Sequence, residues 1–594
     1  MLKHILIVIF AISVAHAEES VEQIFAKRST LGLDTVTSLL RQRLQGGADN
    51  KQVRYFLASV LLERQAGFSD VVEALALLDG LEKERAPDWL PAWALARRMQ
   101  AAVQIQQLNH KQGMDLPEQT RALTGGEEFQ SFLRQQLASL DASLAPMREG
   151  LQLTKALRKN QFSAEEVKAD LQQIHDLLRA HWSYEAEKQR QTGRSLMQLL
   201  TEARKEIKPM MGRRDANKIL VRFVAALEDG HTFLTPLFNE PILRLPFRAI
   251  DTQEGVVIAE TAESLPLRPG DRVLEVNGIT VETVVKKWAS LCSVSTAAAR
   301  RAHAVAKLPL CIGGERSLSL RIERDGEELM VKVSESLKDS LHWTSNVEKG
   351  PWVRSKLIEP GVGYLRIVNW APITLPKEAL GADSSKRAAF FQPLHHQIDR
   401  ALEPLRDCHS MIIDVRGNGG GYDELSCYLA SYFVGRRPLN PYVLRYRAPN
   451  GVKGKPSPDA DSDGFLNKKR VPATYTSYEG PAWKSRLFIL VDEHCFSATD
   501  TFLHVLTEQT PAGQVTTIGR ASSGGIGGPK PVGRLEHTGA ELTLSNCKAF
   551  SLGGALLEGR PARLDVLVTW TRDDILNRRD ADFEEALRRA KDNH

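Results

Sequence analysis

The sequence predicts a multidomain chain with an α-helical N-terminal region, a β-rich middle domain and an α/β core. Three patterns support this prediction: amphipathic helical spacing over residues 18–155, short strands over residues 245–335, and alternating strands and helices from about residue 350 onwards. A chain of 594 residues is long enough for several domains.

The first 17 residues have the pattern of a secretory signal peptide. A basic start precedes an apolar run from Ile5 to Val14, and residues 15–17 form an A-x-A cleavage site. No run in the chain reaches the length of about 20 apolar residues that a membrane-spanning helix needs. We therefore expect an exported protein, periplasmic or extracellular, without a membrane span. Residues 18–155 follow as a predicted N-terminal helical domain, and residues 156–240 as a helical subdomain.

A candidate nucleophile lies in residues 493–500, EHCFSATD, between an apolar run at 487–491 and a helical pattern from Ala498. The short run of branched residues predicts a buried strand. A serine between that strand and a helix N-terminus is held where developing negative charge is favoured. The pattern favours Ser497 as an acyl-transfer nucleophile. The alternative is a serine that only caps the helix.

A glycine-rich loop, residues 416–421 (RGNGGG), follows a second predicted strand at 411–415. Its backbone amides lack side-chain cover and suit an anion site. The loop lacks both the P-loop ending and the G-x-G-x-x-G spacing, so an oxyanion hole is a better interpretation than nucleotide binding. A third segment, residues 227–234, provides His231 as a candidate base.

Together these segments resemble peptidase family S41, the C-terminal processing and tricorn-like serine peptidases. Residues 229–232 resemble the family's D-x-H-T segment, 414–420 its D-L-R-x-N-x-G-G loop, 496–500 its S-A-S/A-E segment, and 558–565 its closing E-G-x-G-V-x-P-D. The resemblance implies a ClpP/crotonase-like α/β core over residues 341–594. It also implies serine peptidase activity on protein or peptide substrates, without a cofactor or metal.

The tricorn-like branch of the family implies individual roles. Ser497 would be the nucleophile, His231 the general base and Glu558 the carboxylate that orients the imidazole. The amides of Gly420 and Ala498 would hold the oxyanion.

Two positions depart from the family patterns. The processing branch uses a Ser–Lys pair, but Gly525 stands where that lysine would be, which leaves Lys530 as an alternative base. Tricorn has a serine before its histidine that bridges to the glutamate, and Gly230 occupies that position here. Glu558 would then act directly, through water, or through another hydroxyl such as that of Thr232.

The predicted β-rich domain covers residues 241–340. Residues 267–278 resemble the L-x-x-G-D-x-I-x-x-V-N-G core of PDZ domains, which bind extended peptides at a sheet edge. The resemblance implies peptide contacts at Gly255, Val256 and Val257. The alternative is a structural β-domain with a closed groove.

Composition and cysteine spacing narrow the functional classes that remain open. The formal net charge of +5 is small for this length and gives no indication of nucleic-acid binding.

Six cysteines permit up to three disulfides in an exported protein, and Cys292–Cys311 is the preferred local pair. Three roles are open for Cys495: a core thiol, a disulfide partner or, as the least favoured alternative, the nucleophile itself. The absence of C-x-x-C spacing gives zinc no support. We predict an exported serine endopeptidase. The alternative is a peptidase-fold protein that binds peptides or apolar ligands without cleaving them.

Overall fold

A computed structural model describes residues 21–45, 51–64, 73–74, 77–78, 159–236, 243–311, 315–334, 350–375, 384–435, 439–448, 464–466, 471–472 and 474–591. The chain divides into two compact units, Met1–Glu149 and Gly150–His594. The predicted signal peptide and most of the predicted helices between residues 65 and 155 lie outside the described residues. Within those ranges, every helix is too short or too polar to cross a membrane.

The described part of the first unit is helical. Its helices are α1 (Val21–Ala26), α2 (Arg28–Leu31), α3 (Leu33–Gln45) and α4 (Lys51–Arg64). Helices α3 and α4 pack through apolar side chains spaced three to four residues apart, including Val36, Leu40, Val53, Leu57 and Leu61. This spacing places the apolar side chains of each helix on one face, which explains why the two helices pack against each other as a hairpin.

The second unit begins with a helical subdomain, residues 159–236. Its elements are β1 (Gln161–Ser163), α5 (Ala164–His181), α6 (Glu185–Thr192), α7 (Leu196–Lys205), β2 (Met210–Gly212), α8 (Arg213–Ala225) and β3 (Phe233–Thr235). Ser163 and Glu166 form a capping box that fixes the start of α5. The turn that carries His231 lies between α8 and β3.

The β-rich domain, residues 243–334, is built on one antiparallel sheet. Its elements are β4 (Leu243–Arg244), β5 (Phe247–Thr252), β6 (Gly255–Thr261), β7 (Arg272–Val276), β8 (Ile279–Thr280), α9 (Val281–Ala289), α10 (Ala297–Val305), β9 (Leu310–Cys311), β10 (Ser317–Arg324) and β11 (Glu327–Ser334). The strand order is β11-β10-β7-β6-β5, and β8 pairs with β7. Strand β5 therefore lies at one end of the sheet.

The expected peptide contacts at Gly255, Val256 and Val257 require correction. These residues lie on the internal strand β6, and each of them pairs with β5. Val257 also pairs with Arg272 of β7 on the other side. Because β5 occupies one side of all three residues and β7 the other side of Val257, the sheet leaves no open edge at Val257 for an added peptide strand. Among the described strands, β5 and β11 lie at the two ends of this sheet, and β5 is the one next to β6.

The core, residues 350–591, contains a six-stranded sheet in the order β12-β13-β14-β17-β18-β22. Its elements are β12 (Val353–Glu359), β13 (Val362–Ile367), α11 (Ser384–Leu402), β14 (Ser410–Asp414), α12 (Asp423–Ala430), β15 (Val443–Tyr446), β16 (Val471–Pro472), β17 (Arg486–Val491), α13 (Ala498–Gln509), β18 (Val515–Gly519), β19 (Pro529–Arg534), β20 (Glu541–Ser545), β21 (Cys547–Phe550), β22 (Val566–Leu567), α14 (Arg572–Leu576) and α15 (Ala581–Lys591). A short 3₁₀ helix, Glu403–Leu405, follows α11.

The core sheet is covered on both faces. Strand β12 is antiparallel to β13, and the other neighbours are parallel. Ile413 and Ile489 pack with α11, α12 and α13, whereas Ile412 and Phe488 pack with α15. Adjacent residues of a strand point to opposite faces, so the continuous apolar runs are explained by burial on both sides.

Strands β14 and β17 bring two loops of the candidate site together. They run parallel with Asp414 opposite Leu490, so the loops that follow both strands leave the same edge of the sheet. A second sheet, in the order β19-β20-β3, joins the helical subdomain to the core.

The disulfide prediction is wrong for this structure. All six cysteines are buried, and none of them is disulfide-bonded. Cys292 lies in a small apolar cluster with Val294, whereas Cys311 lies in the main core of the β-rich domain. The two thiols are therefore held apart by packing in different clusters.

Candidate active site

Ser497 lies at a strained turn between β17 and α13. Its φ of 59° and ψ of −118° are unusual for a residue other than glycine. The amide of Ser497 donates to the carbonyl of Gly525 at 3.0 Å. Asp500 fixes this partner loop, because its carboxylate accepts from the Gly525 amide at 3.0 Å. These two hydrogen bonds hold Ser497 in its strained conformation. The serine hydroxyl therefore lies at the N-terminus of α13.

His231 is positioned by the buried carboxylate of Asp229. That carboxylate accepts four hydrogen bonds, from the Trp182 indole, the His231 amide and the hydroxyls of Thr232 and Ser545. Ser545 belongs to β20, which pairs with β3 immediately after the histidine turn. The turn is therefore fixed to the core as well as to its own subdomain.

The imidazole of His231 faces the candidate nucleophile. Its Nε2 lies 2.9 Å from Oγ of Ser497. Burial lowers the pKa of His231, and the charge of Asp229 opposes that shift. The ring is consequently neutral near pH 7 and can accept a proton from the serine.

The position of the Phe496 ring leaves no room for a side chain at two positions of the site. This ring packs on His231 with centroids 4.4 Å apart. A Cβ on Gly230 would lie 2.6 Å from this ring, and a Cβ on Gly525 would lie 2.1 Å from it. Any side chain at either position would displace the ring. A lysine at 525 is therefore incompatible with this packing.

Glu558 lies close to the histidine, on the loop that follows β21. One carboxylate oxygen of Glu558, one of Asp229 and a ring nitrogen of His231 lie within 4.8 Å of one another. Burial, assisted by the negative charge of Asp229, raises the pKa of Glu558 to about 7. The positive charge of Lys188 and the hydroxyl of Ser295 act in the opposite direction. Glu558 is therefore close to the balance between its two forms at neutral pH.

Lys188, on α6, is a site residue that sequence reasoning missed. Its side chain is buried, and its Nζ lies 2.9 Å from Oε1 of Glu558, although without the alignment of a hydrogen bond. The same nitrogen donates to the carbonyl of Glu228 at 2.6 Å. Lys188 thus supplies the positive charge that a buried carboxylate requires. Nothing in the polar helix sequence around it distinguishes this lysine from solvated ones.

Asp229, His231 and Glu558 also form the kind of group that could hold a metal ion. Here the four donors around Asp229 occupy the acceptor positions of its carboxylate. His231 is engaged with Ser497, and Lys188 supplies a positive charge beside Glu558. The hydrogen-bonding pattern matches a supported catalytic base better than a set of metal ligands.

The glycine-rich loop packs directly against the nucleophile turn. A Cβ on Gly420 would lie 2.7 Å from both the Phe496 carbonyl and the Ser497 Cβ. The Gly420 amide, however, donates to Oδ1 of Asn418 at 3.0 Å, so the expectation of a free amide at this residue is not met. Ala498 is the first residue of α13, where an amide has no acceptor within the helix.

Lys530 lies on strand β19 with an exposed side chain. The hydroxyl of Ser497 is bonded instead to His231. Cys495 is fully buried, and its thiol donates to the carbonyl of Val415 at 3.1 Å. Burial raises the pKa of this thiol well above its usual range, so Cys495 is not an activated nucleophile.

The sequence also matches a known family. Residues 361–563 match the family model of peptidase family S41. This matched segment belongs to peptidase family S41. It is accordingly a serine-type peptidase, which confirms the family and enzyme predictions. The matched segment of this S41 peptidase includes Ser497 and Glu558, whereas His231 precedes it. A search of the curated proteins found no match.

Solved structures show a related fold. The S41 peptidase is similar to mature CPAF complexed with lactacystin, with 17% identity, a TM-score of 0.56, and coverage of 72% of this chain and 98% of that one. Another structure of mature CPAF gives 17% identity, a TM-score of 0.55, and coverage of 72% and 97%. The photosystem II D1 C-terminal processing protease gives 14% identity, a TM-score of 0.34, and coverage of 71% and 93%.

Proposed function

We propose that this chain is an exported serine endopeptidase with a Ser497–His231–Glu558 catalytic arrangement. The observation that carries the proposal is the 2.9 Å approach of His231 Nε2 to Ser497 Oγ at a strained strand-to-helix turn. In this arrangement His231 removes the serine proton as Oγ attacks a peptide carbonyl. The carboxylate of Glu558 then stabilises the imidazolium that forms.

The tetrahedral oxyanion would be held by the amides of Ala498 and Gly420. Ala498 offers the first amide of α13 beside the nucleophile, where helix geometry favours negative charge. The Gly420 amide must exchange its bond to Asn418 for one to the oxyanion. The Gly420 loop is close enough for this role, because a Cβ on Gly420 would lie only 2.7 Å from the Ser497 Cβ.

Fragment mapping tests the endopeptidase activity. The purified protein should cut an unstructured protein substrate at internal positions, and mass spectrometry should detect fragments from both sides of each cut. A protein that bound the substrate but released no fragments would instead support the binding-protein alternative.

The β-rich domain is proposed to be PDZ-like, next to a ClpP/crotonase-like core. The edge strand β5 and helix α10 form one wall of a cavity of about 520 Å³, lined there by residues 248–251, Ala302 and Val305. The core supplies a charged opposite wall that includes Arg416 and Asp492. An open strand edge beside a helix is the arrangement that accepts an extended peptide. This groove replaces Gly255–Val257 as the proposed peptide contact.

Export is proposed from the N-terminal sequence. The basic start, the apolar run and the A-x-A site at residues 15–17 support cleavage of a signal peptide. N-terminal sequencing of the mature protein from its natural source should find Glu18 as the first residue. A mature chain that still begins at Met1 would contradict export by this route.

Activity should rise with pH through about pH 7. The pKa of Glu558 is raised to about 7, so its carboxylate is lost as the pH falls below that value. The pKa of His231 is lowered by burial, so the imidazole is already neutral there. This assigns the acid limb of kcat/KM to Glu558 rather than to an ordinary histidine. A rate that stays constant from about pH 8 to about pH 5 would contradict this assignment.

Substitution of Lys188 tests the same electrostatics. Lys188→Met removes the cation beside Glu558, so the midpoint of the pH profile should move to higher pH. Breaking a buried ion pair also typically costs about 3–5 kcal/mol of stability. The double variant Lys188→Met/Glu558→Gln should recover part of that stability, because no buried charge is left unpaired. An unchanged midpoint in Lys188→Met would show that the lysine does not act on the titrating group.

A further inference from the structure

A serine from the β-rich domain enters the active site. Ser295 lies between α9 and α10 and is almost fully buried, with 1% of its surface exposed. Its Oγ accepts a hydrogen bond from the Gly230 amide at 3.0 Å. Ser295 therefore touches the residue immediately before His231, although it is 65 residues away in sequence.

The same serine lies next to the loop that carries Glu558. The carbonyl of Ser295 is 3.8 Å from where a Cβ on Gly559 would be. Because Oγ accepts the Gly230 amide hydrogen, the hydroxyl proton remains free for another acceptor. Both carboxylate oxygens of Glu558 are buried without an aligned hydrogen bond. The Ser295 hydroxyl nevertheless lowers the pKa of Glu558. Its Oγ is bonded to the amide next to His231, and a ring nitrogen of His231 lies within 4.8 Å of the Glu558 carboxylate.

We infer that Ser295 is a positioning residue whose hydroxyl donates to the ionised carboxylate of Glu558 and holds it beside His231. The inference rests on the proposed catalytic role of Glu558. Lys188 provides charge, but its other bond goes to the Glu228 carbonyl. A donor from a different direction fixes the carboxylate orientation that a single ion pair leaves variable.

Packing explains why this hydroxyl comes from another domain. A side chain at position 230 would meet the Phe496 ring at 2.6 Å and Ser295 Oγ at 3.2 Å. The space beside the histidine is thus already filled by Phe496 and Ser295. A hydroxyl at Gly230 would displace both groups.

The segment around Ser295 is anchored to the histidine turn. Arg300, on α10, donates to the Glu228 carboxylate at 2.8 Å. The Thr296 hydroxyl caps α10 through the Ala299 amide. The Arg300 contact attaches the β-rich domain to the turn that carries His231. Docking of this domain therefore completes the support of the catalytic acid.

Ser295→Ala should lower kcat/KM on the order of tenfold to a hundredfold, as expected for loss of a hydrogen bond to a charged group. The midpoint of its acid limb should move to higher pH, because the lost donor favours the charged form of Glu558. Ser290→Ala is the matched control. The Ser290 hydroxyl donates to the Lys287 carbonyl in the preceding turn. Its loss should change neither kcat/KM nor the midpoint of the acid limb.

A double-variant cycle separates positioning from general structural damage. Ser295→Ala should add little further loss when Glu558 is already replaced by glutamine, because both changes remove the same interaction. Ser295→Cys keeps a donor at the same position, in a somewhat larger side chain with a weaker donor, and should give an intermediate rate, which provides the test if the alanine variant does not fold.

An unchanged rate and pH midpoint in Ser295→Ala, or a loss fully additive to that of Glu558→Gln, would overturn the inference. Hydrolysis that survives Ser497→Ala would instead overturn the proposed function. The two failures are therefore distinguishable.

Discussion

Replacing Ser497 with alanine should reduce peptide hydrolysis on the order of a millionfold, because removal of a triad nucleophile leaves little of the catalytic power. The fold should survive, since alanine keeps the backbone and removes only the half-buried hydroxyl bonded to His231. Hydrolysis rates and thermal unfolding of the purified variant check both parts.

Cys495→Ala is the control for that variant. Cys495 lies two residues earlier and was the alternative nucleophile, but its buried thiol donates to the Val415 carbonyl. We expect this variant to retain hydrolysis. Full activity in Ser497→Ala together with loss in Cys495→Ala would transfer the nucleophile to the cysteine.

His231→Ala should cause a loss comparable to that of Ser497→Ala, because the serine hydroxyl then has no base. Lys530→Ala should retain activity, since its side chain is exposed on β19. Comparing kcat/KM of the two variants decides between the bases. An inactive Lys530→Ala variant beside an active His231→Ala variant would indicate a Ser–Lys peptidase.

The sequence was sufficient to predict the segments that meet at the candidate site. Ser497 and the glycine-rich loop follow buried parallel strands, whose ends lie at one sheet edge. His231 could be placed by its motif, but its actual support could not. Asp229 is held by Trp182, directly after α5, and by Ser545 of β20, which are 47 and 316 positions away in sequence.

Lys188 and Ser295 were not predicted because their roles depend on burial. A lysine in a polar helix and a serine in a loop carry no distinguishing local pattern. They become significant only when packing removes water around Glu558 and leaves its charge in need of donors. Thr232, the hydroxyl considered from sequence, donates to Asp229 instead.

Other expectations failed for similar reasons. Gly255–Val257 were expected at a peptide-binding edge, but strand order places them inside the sheet. Cysteine count and spacing favoured Cys292–Cys311, but the two side chains belong to different apolar clusters. Strand order and cluster membership depend on tertiary contacts that a local sequence pattern does not specify.

The central claim is that His231 activates Ser497 as a nucleophile. A serine-reactive fluorophosphonate probe, followed by peptide mapping, tests it most directly. The account predicts a single label on Ser497, with labelling abolished in Ser497→Ala and strongly slowed in His231→Ala. A protein that hydrolyses peptides while Ser497 remains unlabelled and another residue carries the probe would contradict it.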